Sequence, residues 1–263
     1  MIDIHCHILN GVDDGSADKF DSAEMLRIAA ESGITDIIAT PHCYPGIYNN
    51  FNGMTLNAKF DRFISEHRES ETGVRIHRGM EVYADDDVIH RADEGRLMTL
   101  ANSSYMLIEC AFNENPDFMT AVLHELLKRR IHPVIAHPER YYFIRNKPEI
   151  ALGWVDMGCS LQLNAGSIMG QFGSECRRIA HDLLSSGAVQ LIASDAHGAI
   201  KRTPELQSAF ELVGVQFSFD FANTLLTENP ARIIDNRRLR FPELKFMSQS
   251  REEFLSDEEY WGI

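Results

Sequence analysis

Short apolar runs alternate along this chain with longer stretches whose apolar residues recur three and four positions apart. The runs at residues 2–7, 36–40, 74–81, 105–109, 133–137, 160–164 and 189–195 have the length and side-chain character of buried strands. The stretches at 20–32, 56–70, 117–130, 148–157 and 175–186 have the spacing of helices. Gly33, Gly158 and Gly187 stand where helices should stop. This alternation implies an α/β fold with a parallel sheet. Seven repeats in 263 residues suit a barrel-like closure better than an open doubly wound sheet. No G-x-G-x-x-G follows a strand, so a dinucleotide-binding fold has no support.

Between the repeats, residues 44–54 contain Gly46, Asn49, Asn50, Asn52 and Gly53 and read as a long loop after the second strand. Barrels place substrate contacts on such loops. The chain divides into one domain, 1–235, and a charged extension, 236–263. That extension is expected to pack on the barrel or a neighbouring subunit, or to be partly disordered. Near its end stands Asp257-Glu258-Glu259-Tyr260-Trp261, which makes Tyr260 a candidate for phosphorylation.

Composition narrows the function. Apolar residues form 44% of the chain and charged residues 24%, as in a soluble globule with a sizeable core. A net charge of −14 argues against a nucleic-acid partner, because phosphate backbones call for Lys and Arg stripes. No run of about 18 apolar residues spans a membrane, and no basic leader precedes an apolar segment. The expectation is a cytoplasmic protein without stable membrane insertion. The five cysteines form no C-x-x-C pair. Cys6, Cys43 and Cys110 each adjoin a candidate ligand, and on a strand that neighbour faces the other way, so they should pack beneath the helices.

The chemistry lies at the strand ends. His5 and His7 sit two apart in an apolar run, so on a strand they share one face and can pinch a divalent metal. Asp14 follows shortly. The second strand leads to His42, the third to Glu81, the fourth to Glu109, the fifth to His137, and the seventh to Asp195 and His197. The sixth ends in Asn164 and offers no metal-type ligand. In a parallel barrel all these ends meet at one mouth. Nine such groups in one pocket would repel and desolvate one another without cations.

Charge suggests how many. Four carboxylates carry −4 and the imidazoles bind neutral, so three divalent ions leave +2, which matches a phosphate-monoester dianion; two ions would leave zero. Three ions would also reduce the net charge of the whole chain from −14 to −8. Arg140, three residues past His137, and Arg202, five past His197, have the forked geometry that grips phosphate oxygens.

At these residues the chain resembles the PHP (polymerase and histidinol phosphatase) superfamily. It is most similar to the bacterial protein-tyrosine phosphatases of capsule and exopolysaccharide clusters. The matching stretches include Met1-Ile-Asp-Ile-His-Cys-His7, Val12-Asp-Asp-Gly15, Thr40-Pro-His42, Met80-Glu81, Leu107-Ile-Glu109, Pro133-Val-Ile-Ala-His-Pro-Glu-Arg140, Gln162-Leu-Asn164 and Ile192-Ala-Ser-Asp-Ala-His197.

The resemblance implies a distorted (β/α)7 TIM-like barrel with three metals, often manganese, with iron or zinc as alternatives. One ion would be held by His5, His7, Glu81 and Asp195. A second would be held by Glu81, Glu109 and His137, and a third by Asp14, His42 and His197. The implied substrate is a phosphotyrosine protein, a tyrosine autokinase that controls polysaccharide export, and the enzyme could be a homo-oligomer. The loop after His42 lacks basic residues that some relatives carry there.

Two other metal-dependent readings remain beside it. One is a small-molecule phosphatase such as histidinol-phosphatase. The other is an amidohydrolase, which would often place a lysine where Glu109 stands.

A covalent cysteine mechanism is the rival for a tyrosine phosphatase. It needs an arginine six residues after the thiol, and here those positions hold Val12, Asn49, Pro116, Ala165 and Asp182. Water activated by metal is the expected nucleophile. Arg140 would stabilise the developing charge, and Asp195 or His197 could assist proton transfer.

Overall fold

The structure is a computed structural model and describes residues 1–242. Of the extension expected at 236–263, residues 243–263, with Tyr260, lie outside the described residues. Among the described residues nine strand segments follow one another: β1 (Ile2–Cys6), β2 (Asp36–Ala39), β3 (His42–Cys43), β4 (Arg75–Arg78), β5 (Glu81–Tyr83), β6 (Tyr105–Glu109), β7 (His132–Ala136), β8 (Ser160–Asn164) and β9 (Leu191–Ala193). All pair in parallel, in the orders β1-β2-β4 and β3-β5-β6-β7-β8-β9.

Two breaks produce this pair of sheets. β2 runs on into β3 across Thr40-Pro41, and β4 into β5 across Gly79-Met80. Pro41 has no N–H with which to continue a ladder. The far segments, β3 and β5, therefore pair with each other in the second sheet, bringing His42 opposite Glu81.

The last strand path returns to the first. Asp195 N donates to His5 O at 2.8 Å, and His7 N donates to Ala196 O at 2.9 Å. Seven strand paths thus form the expected distorted (β/α)7 barrel. A one-residue irregularity between Asp3 and Cys6 shifts the pairing of β1 with β2.

Helices cover the ring: α1 (Lys19–Glu31), α2 (Met54–Glu66), α3 (Glu69–Thr72), α4 (Val88–Asp93), α5 (Pro116–Lys128), α6 (Tyr142–Asn146), α7 (Glu149–Asp156), α8 (Ala165–Ile168), α9 (Ser174–Ser185), α10 (Gln207–Gln216), α11 (Phe219–Asn223) and α12 (Asn229–Ile234). Two of the longer ones, α1 and α5, begin where a side chain satisfies their free N–H groups. Asp18 accepts from Phe20 N and Asp21 N to start α1, and Asn115 accepts from Asp117 N to start α5. The helix expected at 56–70 is two helices, α2 and α3. Nothing in the sequence reading anticipated α10 to α12.

Burial follows the two-sided environment of a parallel sheet. The larger apolar cluster lies between strands and helices and includes Cys6, Cys43 and Cys110, as expected of them. All five cysteines are free and buried. A smaller cluster, with Ile4, Ile38, Leu107, Val134, Leu191 and Ile233, joins the inward faces of strands around the ring. At the N-terminal end of the barrel, Tyr105 Oη donates to Arg237 O, and Asn229 Nδ2 donates to Arg240 O. Residues 237–240 therefore lie against the barrel.

Asp3 is a buried charge with a structural task. Its carboxylate accepts from His5 N at 3.3 Å, from Ser194 N at 3.0 Å and from Ser194 Oγ, which joins β1 to the end of the last strand. Asp3→Ala leaves buried donors unpaired and should destabilise the fold by about 2–4 kcal/mol. Urea unfolding should show a lowered midpoint with an unchanged slope; an unchanged midpoint would contradict the role given to Asp3.

Candidate metal centre

The expected site residues all come together at the C-terminal ends of the strands. His5 lies in β1 and His7 one residue past it; His42 opens β3, Glu81 opens β5 and Glu109 closes β6. His137 follows β7 directly, and Asp195 and His197 follow β9. His137, Asp195 and Arg202 have left-handed φ of 36°, 52° and 50°. Non-glycine residues rarely adopt this conformation, and its cost of about 1–3 kcal/mol each is typical of functional sites.

Glu81 is the centre of the cluster. It is 1% exposed. Its Oε2 lies 3.2 Å from His5 Nε2, 3.2 Å from His7 Nε2 and 3.0 Å from His42 Nδ1. Neither Glu81 Oε2 nor His42 Nδ1 has a hydrogen-bond partner, although both are buried. Glu81 Oε1 accepts from His137 Nε2 at 3.2 Å.

Around this centre, Glu109 Oε1 is 3.1 Å from His42 Nδ1. Asp195 Oδ1 is 3.4 Å from His5 Nε2 and 3.5 Å from His197 Nδ1. Asp14, half-exposed at the rim, places Oδ1 3.4 Å from His42 Nε2 and 3.7 Å from His197 Nε2. Three groups have ligand atoms close enough to share one ion: His7-Asp14-His42-His197, His5-His7-Glu81 and His42-Glu81-Glu109. These residue types, and the buried atoms without partners, fit divalent cations.

Three residues that the sequence reading passed over orient the imidazoles. Asp13 Oδ2 accepts from His7 Nδ1 at 2.8 Å and from His42 N at 2.8 Å. Gly15 makes that turn possible, since a Cβ there would lie 2.2 Å from His7 O. The other two form a relay. The Asp195 carboxylate can only accept, so Asn164 Nδ2 donates to its Oδ2 at 2.6 Å. Gln162 Nε2 then donates to Asn164 Oδ1 at 2.9 Å, and Gln162 Oε1 accepts from His5 Nδ1 at 2.9 Å. The relay leaves the lone pair of His5 Nε2 facing Glu81, as metal ligation requires.

Electrostatics show the same competition. Burial disfavours a charge on His5, but the carboxylates of Glu81 and Asp195 outweigh it and raise its pKa to about 9. Likewise burial opposes protonation of His42, yet Glu81 and Glu109 hold it at about 12. Burial would raise Glu81, but His5 and His42 keep it well below the usual carboxylate range. His197 goes the other way: burial and then repulsion from His7 lower it to about 2.

The mouth is a cavity of about 380 Å³. The loop at 44–54, expected to carry substrate contacts, supplies Tyr44, Ile47 and Tyr48 to it. Tyr44 N donates to Tyr48 O and Tyr48 N to Tyr44 O, and Asn50 Nδ2 ties the loop to Val12 O and His42 O. Phe112, Arg140 and Arg202 also line the cavity. Both arginines reach Asp195 Oδ2, at 3.3 Å and 2.6 Å. The cysteines stay out of this chemistry, because burial pushes Cys43 up to about 11 and Cys110 to about 12.

Comparison with known proteins agrees with this geometry. Residues 1–235 match the family described as capsular polysaccharide synthesis, CpsB/CapC. The chain is 33% identical to tyrosine-protein phosphatase YwqE of Bacillus subtilis over 239 residues, 91% of this chain and 93% of that protein. It is 29% identical to tyrosine-protein phosphatase CpsB of Streptococcus pneumoniae, covering 89% of this chain and 98% of the relative. A crystal structure from work on YwqE and CpsB, described as unique metal-dependent tyrosine phosphatases, superposes with a TM-score of 0.86. It shares 32% identity over 93% of this chain and 99% of its own. A β-aspartyl dipeptidase from Fervidobacterium islandicum, at 14% identity and a TM-score of 0.56 over 92% of this chain and 75% of its own, shares the fold alone.

The raised histidine values set a pH dependence. His5 and His42 lend stability that is complete below about pH 6.5 and is lost as pH rises through their folded values, about 9 for His5. The melting temperature of chelator-treated protein should therefore fall from pH 6.5 to 9. A cation displaces those protons, so metal-replete protein should bind metal more tightly and melt progressively higher than the chelated form over that range. Scanning fluorimetry of both preparations tests this; parallel curves would contradict the assignment.

Proposed function

Because the chain belongs to the CpsB/CapC family of capsular polysaccharide synthesis, we propose that it is a metal-dependent protein-tyrosine phosphatase. The observation that carries the metal is Glu81 Oε2, buried among three imidazole nitrogens without a hydrogen bond. Three divalent ions, manganese by preference, would be held by His5, His7, Glu81 and Asp195; by Glu81, Glu109 and His137; and by Asp14, His42 and His197. His7 and His42 each lie within reach of two of these positions. When bound, the cations supply positive charge for the phosphoryl oxygens and lower the pKa of water enough for attack on phosphorus at neutral pH.

The chain's own residues do the rest. Arg140 and Arg202 stand over the floor of the cavity through Asp195, where their guanidinium forks can take non-bridging phosphate oxygens. Ile47, Tyr48 and Phe112 give the walls an apolar, aromatic surface for the ring of phosphotyrosine. The phenolate that leaves has a pKa of about 10, so the demand for a general acid is modest. His197 Nδ1 donates to Asp195 O at 3.0 Å, which turns Nε2 toward the cavity. Held neutral there, His197 serves as a ligand before it serves as an acid.

The substrate that fits this family is phosphotyrosine on a tyrosine autokinase of capsule or exopolysaccharide synthesis, met on the cytoplasmic side. Among the described residues no helix is long and apolar enough to cross a membrane.

On this account kcat/KM for a phosphotyrosine peptide should exceed that for histidinol phosphate by about tenfold or more, since only the aryl ester fills the aromatic walls. Iodoacetamide under native conditions should leave turnover intact, and Glu109→Ala should lose one ion and nearly all activity. Steady-state assays on both substrates, with metal analysis of the variant, check this. A preference for histidinol phosphate would overturn the substrate assignment, and inactivation by the alkylating agent would restore the cysteine mechanism.

A further inference from the structure

Phe172 lies outside the ligand cluster, yet both arginines stand over it. The Arg140 guanidinium carbon is 4.7 Å from its ring centroid, and that of Arg202 is 5.7 Å away. The three residues come from three neighbouring strand paths. Arg140 follows β7, Phe172 lies in the turn between α8 and α9 after β8, and Arg202 follows β9. The ring thus stands between the loops that carry the two cations.

The turn is built to hold it there. Gln171 N donates to Gly166 O at 2.8 Å, and Gly173 N donates to Gly170 O at 3.1 Å. A Cβ on Gly166 would lie 2.8 Å from the Phe172 ring, so only glycine leaves the ring its place.

We propose that Phe172 is a positioning residue that sets the spacing and orientation of Arg140 and Arg202 for phosphate. Two guanidinium groups directed at one carboxylate oxygen repel each other. The face of an aromatic ring is negative and attracts a cation from either side. Phe172 therefore holds both forks aimed at the floor of the cavity while occupying none of their N–H donors. Arg140 is held on a second side by Phe112, 4.6 Å from its guanidinium carbon. Arg202 has Phe172 as its aromatic support, and its Nε is buried without a hydrogen-bond partner. The larger effect of losing Phe172 thus falls on Arg202. The proposal rests on the phosphatase reading, since it gives both arginines the phosphate as their ligand.

The test uses the metal-replete, full-length protein. Phe172→Leu keeps bulk and removes the ring face, Phe172→Tyr keeps the ring, and Gly166→Ala pushes the ring aside without changing it. Three quantities are measured: KM and kcat on a phosphotyrosine peptide, the dissociation constant of inorganic phosphate by calorimetry, and bound metal. Phe172→Leu and Gly166→Ala should raise KM and the phosphate constant by about tenfold, with a much smaller change in kcat and the parental metal content.

Phe172→Tyr should recover most of the affinity. Once Arg140→Ala and Arg202→Ala are combined, Phe172→Leu should add nothing, because its effect passes through them. Parental KM and phosphate affinity in Phe172→Leu, or an effect that simply adds in the arginine-free background, would overturn the proposal while the phosphatase reading stands. A parent protein that turns over no phosphotyrosine peptide would overturn both.

Discussion

One carboxylate oxygen, Glu81 Oε2, is buried within 3.2 Å of three imidazole nitrogens and hydrogen-bonds to none of them. Everything else at the mouth of the barrel follows from that crowding. A buried charge without partners is costly, and neighbouring histidines can relieve it only by taking protons well above their ordinary range. A divalent cation relieves it better, because it neutralises the carboxylate and uses the imidazole lone pairs at once. Gln162, Asn164 and Asp13 prepare that exchange by donating to or accepting from the far side of His5, Asp195 and His7.

The barrel produces this concentration of charge through backbone geometry. Parallel strands send every C-terminal end to the same mouth. The breaks at Thr40-Pro41 and Gly79-Met80 then carry His42 and Glu81 into register with each other. Left-handed φ at His137 and Asp195 turns these residues at the ends of their strands, where strand geometry alone would continue the ladder. The strain is held by packing below and by Asp3, which ties the first strand to the last just beneath His5 and Asp195.

Much of this was legible in the amino-acid sequence. The strands announced themselves as apolar runs, and His5, Glu109 and Asp195 fell at their ends by period two alone. Gln162 and Asn164 alternate along β8 as His5 and His7 do at β1, but as amides they are not metal-type ligands, and their role shows only once the fold sets them beside His5 and Asp195. Asp13 was harder, because only the fold reveals which of two adjacent aspartates turns inward. The short helices α4, α6 and α8 span too few residues to show a period. α10 buries only Ala209, Val213 and Gly214 and exposes Val215, so it carries no clear apolar stripe. Phe172 was invisible for another reason. Its partners lie 32 and 30 residues away, on loops that only barrel topology makes neighbours.

On this reading, cations held in the cluster make the site a phosphatase. The most direct measurement counts bound metal by plasma mass spectrometry while chelator-stripped protein is titrated with manganese and its hydrolysis of a phosphotyrosine peptide is followed. Activity should be absent in the stripped protein, rise with occupancy and reach its maximum at three ions per chain. Full turnover by protein shown to hold no metal would contradict the account.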